Sequence, residues 1–147
     1  MEETISQPLF DFSNFYQNNF LSDCKLYLKD SAGNIRSTIQ AHQLILANSS
    51  NFFLDIFTSG MYETVAKEVE LPFNQDELLN LFPLVVEWIY TGQIDFSIET
   101  FVPILNLSRY YRIPALEQQL VNYLDENLTT EVLMSFIGQC YELKFPS

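Results

Sequence analysis

Residues 40–63 read QAHQLILANSSNFFLDIFTSGMYE, two short apolar helical patterns set back to back. Leu44, Ile45, Leu46 and Ala47 fill the first. Ser49 or Ser50 can cap the second, because a serine oxygen accepts from the free N–H groups of a first helical turn. Phe52, Phe53, Ile56 and Phe57 then fall on one helical face. Gly60 reads as the stop. A helical hairpin this apolar belongs at the centre of a domain. Met61, Tyr62 and Glu63 leave that core on a polar stretch, where a binding element would be displayed.

Working outward, Cys24, Leu26 and Leu28 alternate with Lys25, Tyr27 and Lys29, the pattern of a half-buried strand. Asp30–Asn34 is a turn cluster, and Ile35–Ile39 alternates again, so the spacing predicts a β-hairpin over Cys24–Ile39. Beyond the helical hairpin, Val69 and Leu71 alternate with Glu68 and Glu70 in a third strand closed by Pro72. Asn74 stands in capping-box spacing with Glu77. Pro83 lacks an N–H, which predicts a short turn and then a helix from Pro83 to Tyr90 stopped by Gly92. Ile94–Phe96 reads as a short extended piece. Ser97 opens a helix to about Tyr111, Ile113-Pro114 breaks it, and Pro114 starts another through Leu124. Thr129 or Thr130 caps a last helix with Val132, Leu133, Phe136, Ile137 and Cys140 inward. Strands interleaved with a helical hairpin, then a run of helical hairpins, is an α+β order rather than alternating βαβ.

At the N-terminus, Asp11–Leu21 reads as a helix with Phe12, Phe15, Tyr16 and Phe20 in a single aromatic stripe. Two readings stand side by side: the stripe packs on its own core, or it is an interface for a second copy. Residues 1–11 carry no periodicity and read as a flexible or exchanged arm.

Composition excludes several function classes. The chain has 147 residues, a size for one core, and is 48% hydrophobic with thirteen Phe and eight Tyr, far from a disordered composition. Net charge is −12, with only seven Lys and Arg, all scattered. Nucleic-acid and anionic-membrane binding both need cations the chain lacks. Met1–Gln7 is acidic and polar and does not read as a signal peptide, and Leu81–Tyr90 is too short to span a bilayer. The chain is read as cytoplasmic or nuclear. Cys24 and Cys140 make no metal spacing. The four glycines are isolated, so no phosphate-cradling loop exists. His42 is the one histidine and sits at a helix start, where it reads as a structural hydrogen-bonding residue. The chain is read as a binding module with no catalytic residues, metal or cofactor.

The residues carry a family resemblance. Ser22-Asp23-Cys24 with Leu26, then Ala41-His42 with Ile45-Leu46-Ala47, Ser50, Phe53 and Phe57, resemble the BTB/POZ family. So do Phe82 with Ile89-Tyr90-Thr91-Gly92, and Leu105, Leu107, Tyr110, Ile113 and Leu116. The resemblance implies a BTB/POZ fold over residues 12–128, with a small three-stranded mixed sheet. It makes 129–147 the incomplete start of a C-terminal helical extension, in a fragment or a BTB-only protein. Asp23, His42 and Gly92 become structural positions. The family often has Lys or Arg where this chain has Gln43; in the zinc-finger repressor branch that residue and an Asp like Asp23 form a charged pocket. The resemblance further implies homodimerisation through Phe12, Phe15, Tyr16 and Phe20. It implies a substrate-adaptor role, recruiting the third cullin of a ubiquitin ligase through Met61-Tyr62-Glu63. The alternative is a self-association scaffold or transcriptional regulator without cullin binding.

Overall fold

A computed structural model describes residues 2–6, 11–59, 67–127, 134 and 137. Strand β1 is Glu2–Ser6, β2 is Cys24–Lys29 and β3 is Ile35–Ala41. Helices α1, Gln43–Ser49, and α2, Asn51–Thr58, follow. Then come β4, Glu68–Pro72, and α3, Asp76–Thr91. Strand β5, Gln93–Ser97, leads into α4, Ile98–Tyr110, and α5, Pro114–Asn127.

The order β3-β2-β4 makes a three-stranded mixed sheet, antiparallel between β2 and β3 and parallel between β2 and β4. Alternation puts Cys24, Leu26, Leu28, Val69 and Leu71 into the core. The hairpin closes on Asp30, whose Oδ1 accepts from the N–H groups of Ala32 (3.0 Å) and Asn34 (2.9 Å). Those bonds hold its carboxyl below the usual carboxylate range. A parallel pair needs a crossover, and α1 and α2 supply it. Ser50 alone separates them. Its Oγ accepts from Phe53 N–H at 3.2 Å and donates to the Tyr111 carbonyl at 2.6 Å, joining the hairpin to the end of α4.

Helix α3 corrects two expectations. It runs unbroken through Pro83, and Gln75 rather than Asn74 precedes its first turn, without a side-chain cap. Leu78, Leu79, Phe82, Val85, Val86, Trp88, Ile89 and Tyr90 are buried along it. At roughly 1.5–3 kcal/mol for each large apolar side chain, that burial outweighs the roughly 3 kcal/mol an interior proline costs. Asp76 and Glu77 in the first turn suit the helix dipole. Gly92 closes the helix in the left-handed region, φ 77°, where its N–H reaches the Trp88 carbonyl at 2.7 Å. At the start of α4, Ser97 N–H donates to Thr100 Oγ1 at 2.8 Å.

The predicted Asp11–Leu21 helix does not form. A single 3-10 turn, Ser13–Phe15, stands in its place. Asp11 Oδ1 takes the Ser13 N–H, Asn18 donates to the Asn14 carbonyl, and Asn18 Oδ1 takes the Phe20 N–H. Such local side-chain bonds compete with helix, and Gln17 and Leu21 lie at φ 54° and 58°, outside it. Strand β1, within the arm expected over residues 1–11, pairs antiparallel with β5 of the same chain, from Glu2↔Ser97 to Ser6↔Gln93. Of the last predicted helix, Met134 and Ile137 alone are described. Both are helical and exposed, so Ile137 does not face inward; Val132, Leu133, Phe136 and Cys140 lie outside the described residues.

Candidate interaction surfaces

The partner expectations fall on two stretches, one around α2 and one around the N-terminal segment. Helix α2 buries Phe53 and Phe57 and is amphipathic. Its outward positions, Asn51, Leu54, Asp55 and Thr58, recur at i, i+3, i+4 and i+7 and are all exposed. Met61, Tyr62 and Glu63, with Gly60, lie outside the described residues; Ser59 and Lys67 are the described residues on either side. Beside α2, the Phe52 ring packs with those of Tyr110 and Tyr111, at centroid distances of 6.0 and 4.8 Å. Tyr111 is buried, and Tyr110 is exposed. Arg112 bridges back, Nη2 donating to Asp55 Oδ2 at 2.6 Å.

The N-terminal stripe divides. Phe12, Phe15 and Tyr16 are half-buried and pack against the core, whereas Phe20 is 63% exposed. The segment hangs on two core residues. Phe12 N–H donates to the Tyr90 carbonyl at 2.7 Å. His42 Nε2 meets the Phe20 carbonyl at 2.7 Å, and His42 Nδ1 meets the Tyr90 hydroxyl at 2.8 Å. A carbonyl can only accept, so Nε2 carries the proton. In the Nε2–H tautomer Nδ1 accepts from Tyr90 O–H, while Tyr90 Oη accepts the His42 backbone N–H at 2.9 Å. Burial pushes the Tyr90 hydroxyl up from its ordinary range.

Periodicity missed two exposed leucines. Leu44, read as filling the first apolar helix, is 82% exposed, and Leu21 is exposed as well. Ile45 and Leu46 point inward from α1, which leaves Leu44 on the solvent side. No local signal marks it, because an outward leucine in an apolar run looks like an inward one.

Asp23 and Gln43 hold each other. Asp23 Oδ1 accepts Gln43 N–H at 2.8 Å, satisfying the first N–H of α1, and the Gln43 amide donates to the Asp23 carbonyl at 3.1 Å. Cys24 is buried, and desolvation pushes its thiol up to about 12, the Asp23 charge adding to the shift. Such a thiol is not a nucleophile near neutrality. Both His42 nitrogens are committed. Among the described residues there is no group of His, Cys, Asp and Glu able to hold a metal, and no helix long and apolar enough to cross a membrane.

Comparisons agree with this architecture. The sequence profile of the BTB/POZ domain matches residues 12–128. Kelch-like protein 7 of Gallus gallus is 28% identical over 106 residues, covering 71% of this chain and 18% of that protein. Kelch-like protein 38 of Danio rerio is 26% identical over 136 residues, 92% of this chain and 22% of that protein. The Arabidopsis thaliana ARM repeat protein interacting with ABF2 is 30% identical over 106 residues, 72% of this chain and 14% of its own length. The chain thus spans about a fifth or less of the length of these relatives. Among solved structures, the BTB domain of zebrafish PATZ1 superposes with a TM-score of 0.53 at 18% identity, covering 72% of this chain and 77% of that one. At that identity the likeness concerns the fold.

Proposed function

The chain belongs to the BTB/POZ domain family, a family of protein-interaction modules, and on that premise we propose that it is a dimeric adaptor recruiting the third cullin of a ubiquitin ligase in the cytoplasm or nucleus. The carrying observation is α2. It is amphipathic, exposed Leu54 stands on its outer face, and Ser59-Gly60 lead from its end to Met61-Tyr62-Glu63. In this reading Met61 fills an irregular apolar groove on the partner, and Glu63 sets register through charge-assisted hydrogen bonds. Kelch-like relatives, matched over about a fifth of their length, support a module that acts together with further domains. Residues 129–147 are then the start of the helical extension. Self-association uses the N-terminal face, with exposed Phe20, Leu21 and Leu44 added to half-buried Phe12, Phe15 and Tyr16. Uncharged Gln43, bonded to Asp23 where the repressor branch has a basic residue, speaks against a charged pocket of that type.

The test is a calorimetric titration of the chain with the N-terminal domain of the third cullin, beside Met61→Ala and Glu63→Ala. Binding by the wild type that falls about tenfold or more in each variant, the scale of an interface hot spot, is the expected result. A wild-type chain that binds no cullin would leave a self-association module, the alternative reading.

A further inference from the structure

We infer that Arg112, in the turn between α4 and α5, is a positioning residue that sets the direction of α2. Its consequence for a partner rests on the cullin reading above, whereas its action on α2 does not. Helix α2 does not inherit its direction from α1. Ser50 between them is extended, at φ −123° and ψ 119°. Phe53 and Phe57 are buried, with Phe52 and Ile56 half-buried against the core beside them, so apolar contacts seat the inner face of the helix. The α4–α5 turn holds it from the outer side.

Asn51 N–H donates to the Arg112 carbonyl at 2.9 Å, fixing the first turn. Arg112 Nη2 reaches Asp55 Oδ2 at 2.6 Å and the Asn51 carbonyl at 3.4 Å, one turn apart along α2. The guanidinium therefore grips two successive turns of the outer face. Arg112 reaches them from the left-handed region, φ 49°, which arginine seldom adopts. Its neighbour Tyr111 accepts from Ser50 and stacks on Phe53 at 6.0 Å, so the turn itself is anchored in the core. Both partners of the ion pair are half or more exposed, at 50% and 64%. Exposed pairs add little net stability. What this one fixes is an angle: the heading of the helix that ends three residues before Met61.

The test uses the whole chain with Arg112→Gly, Asp55→Asn, and the exchange Asp55→Arg with Arg112→Asp. Glycine accepts the left-handed backbone and keeps the Asn51 bond, so it removes the side chain alone. In the free chain, amide hydrogen exchange across α2 should rise about two- to fivefold in each single variant, the scale of an exposed pair. It should return towards wild type in the exchange variant, with α3 unmoved. Unchanged rates in α2 would overturn the inference. Titration with the cullin domain should show the same two- to fivefold loss and the same recovery. Loss without recovery would mean that Arg112 touches the partner directly, and positioning would be wrong. A wild-type chain that binds no cullin would end the adaptor reading, and the exchange rates would still decide the seat of α2.

Discussion

Phe12–Phe20 and Phe52–Phe57 are both aromatic-rich, both read as amphipathic helix, and only the second is one. Around Phe52 the competing side chains sit at the helix end: Ser50 spends its hydroxyl on the cap. Along Phe12–Phe20, Asp11 at the edge of the pattern and Asn18 inside it bond through their side chains to nearby backbone. The difference carries into packing. Phe53 and Phe57 enter the core, stacked at 6.0 Å. The N-terminal segment lies on the core and is held at its ends by Tyr90 and His42, leaving Phe20 in solvent. Apolar periodicity finds surfaces that need covering, and the polar residues between decide whether a helix covers them.

The widest gap between the two stretches should appear on truncation. Phe53→Ala should destabilise by about 3–5 kcal/mol, because Phe53 is fully buried among rings. Phe20→Ala should leave the urea midpoint almost unmoved and weaken self-association in sedimentation. Equal stability losses would mean that the N-terminal segment is core after all.

A smaller effect tests how that segment is held. Tyr90→Phe removes the hydroxyl that serves both His42 Nδ1 and the His42 N–H, leaving two buried groups unpaired. A loss of about 1–3 kcal/mol is expected, with faster amide exchange over residues 12–22 than over α2. Uniform acceleration would show that the two regions open together.

A further effect is read through pH. The Cys24 thiol, raised from 9.0 to about 12 by burial, keeps its proton in the folded state where the unfolded chain loses it. Its contribution is fully present below pH 9 and falls as pH rises towards 12. Tyr90 and Tyr111, whose hydroxyls burial also raises above 10, add to the fall at higher pH. Urea midpoints should therefore be flat up to about pH 9 and decline above it, and Cys24→Ala should soften the first part of the decline. Iodoacetamide should label Cys24 slowly in native protein; fast labelling would place it outside the core.

Residues with short-range consequences were legible in the chain. Period-two alternation marked β2 and β4, the Ser49-Ser50 pair marked the cap of α2 and Gly92 the stop of α3, because each depends on neighbours within a turn or a strand pair. The family resemblance placed these elements in one fold. Tertiary structure decided the rest. Helix α3 passes Pro83 because eight side chains bury along it, a sum no local window contains. Leu44 faces out because Ile45 and Leu46 turn inward from the same short helix. Tyr90 meets His42 across 48 positions, and Arg112 meets Asp55 across 57. Helix caps and alternation are written in adjacent residues. Which surfaces stay open is settled only when distant segments compete for the same core.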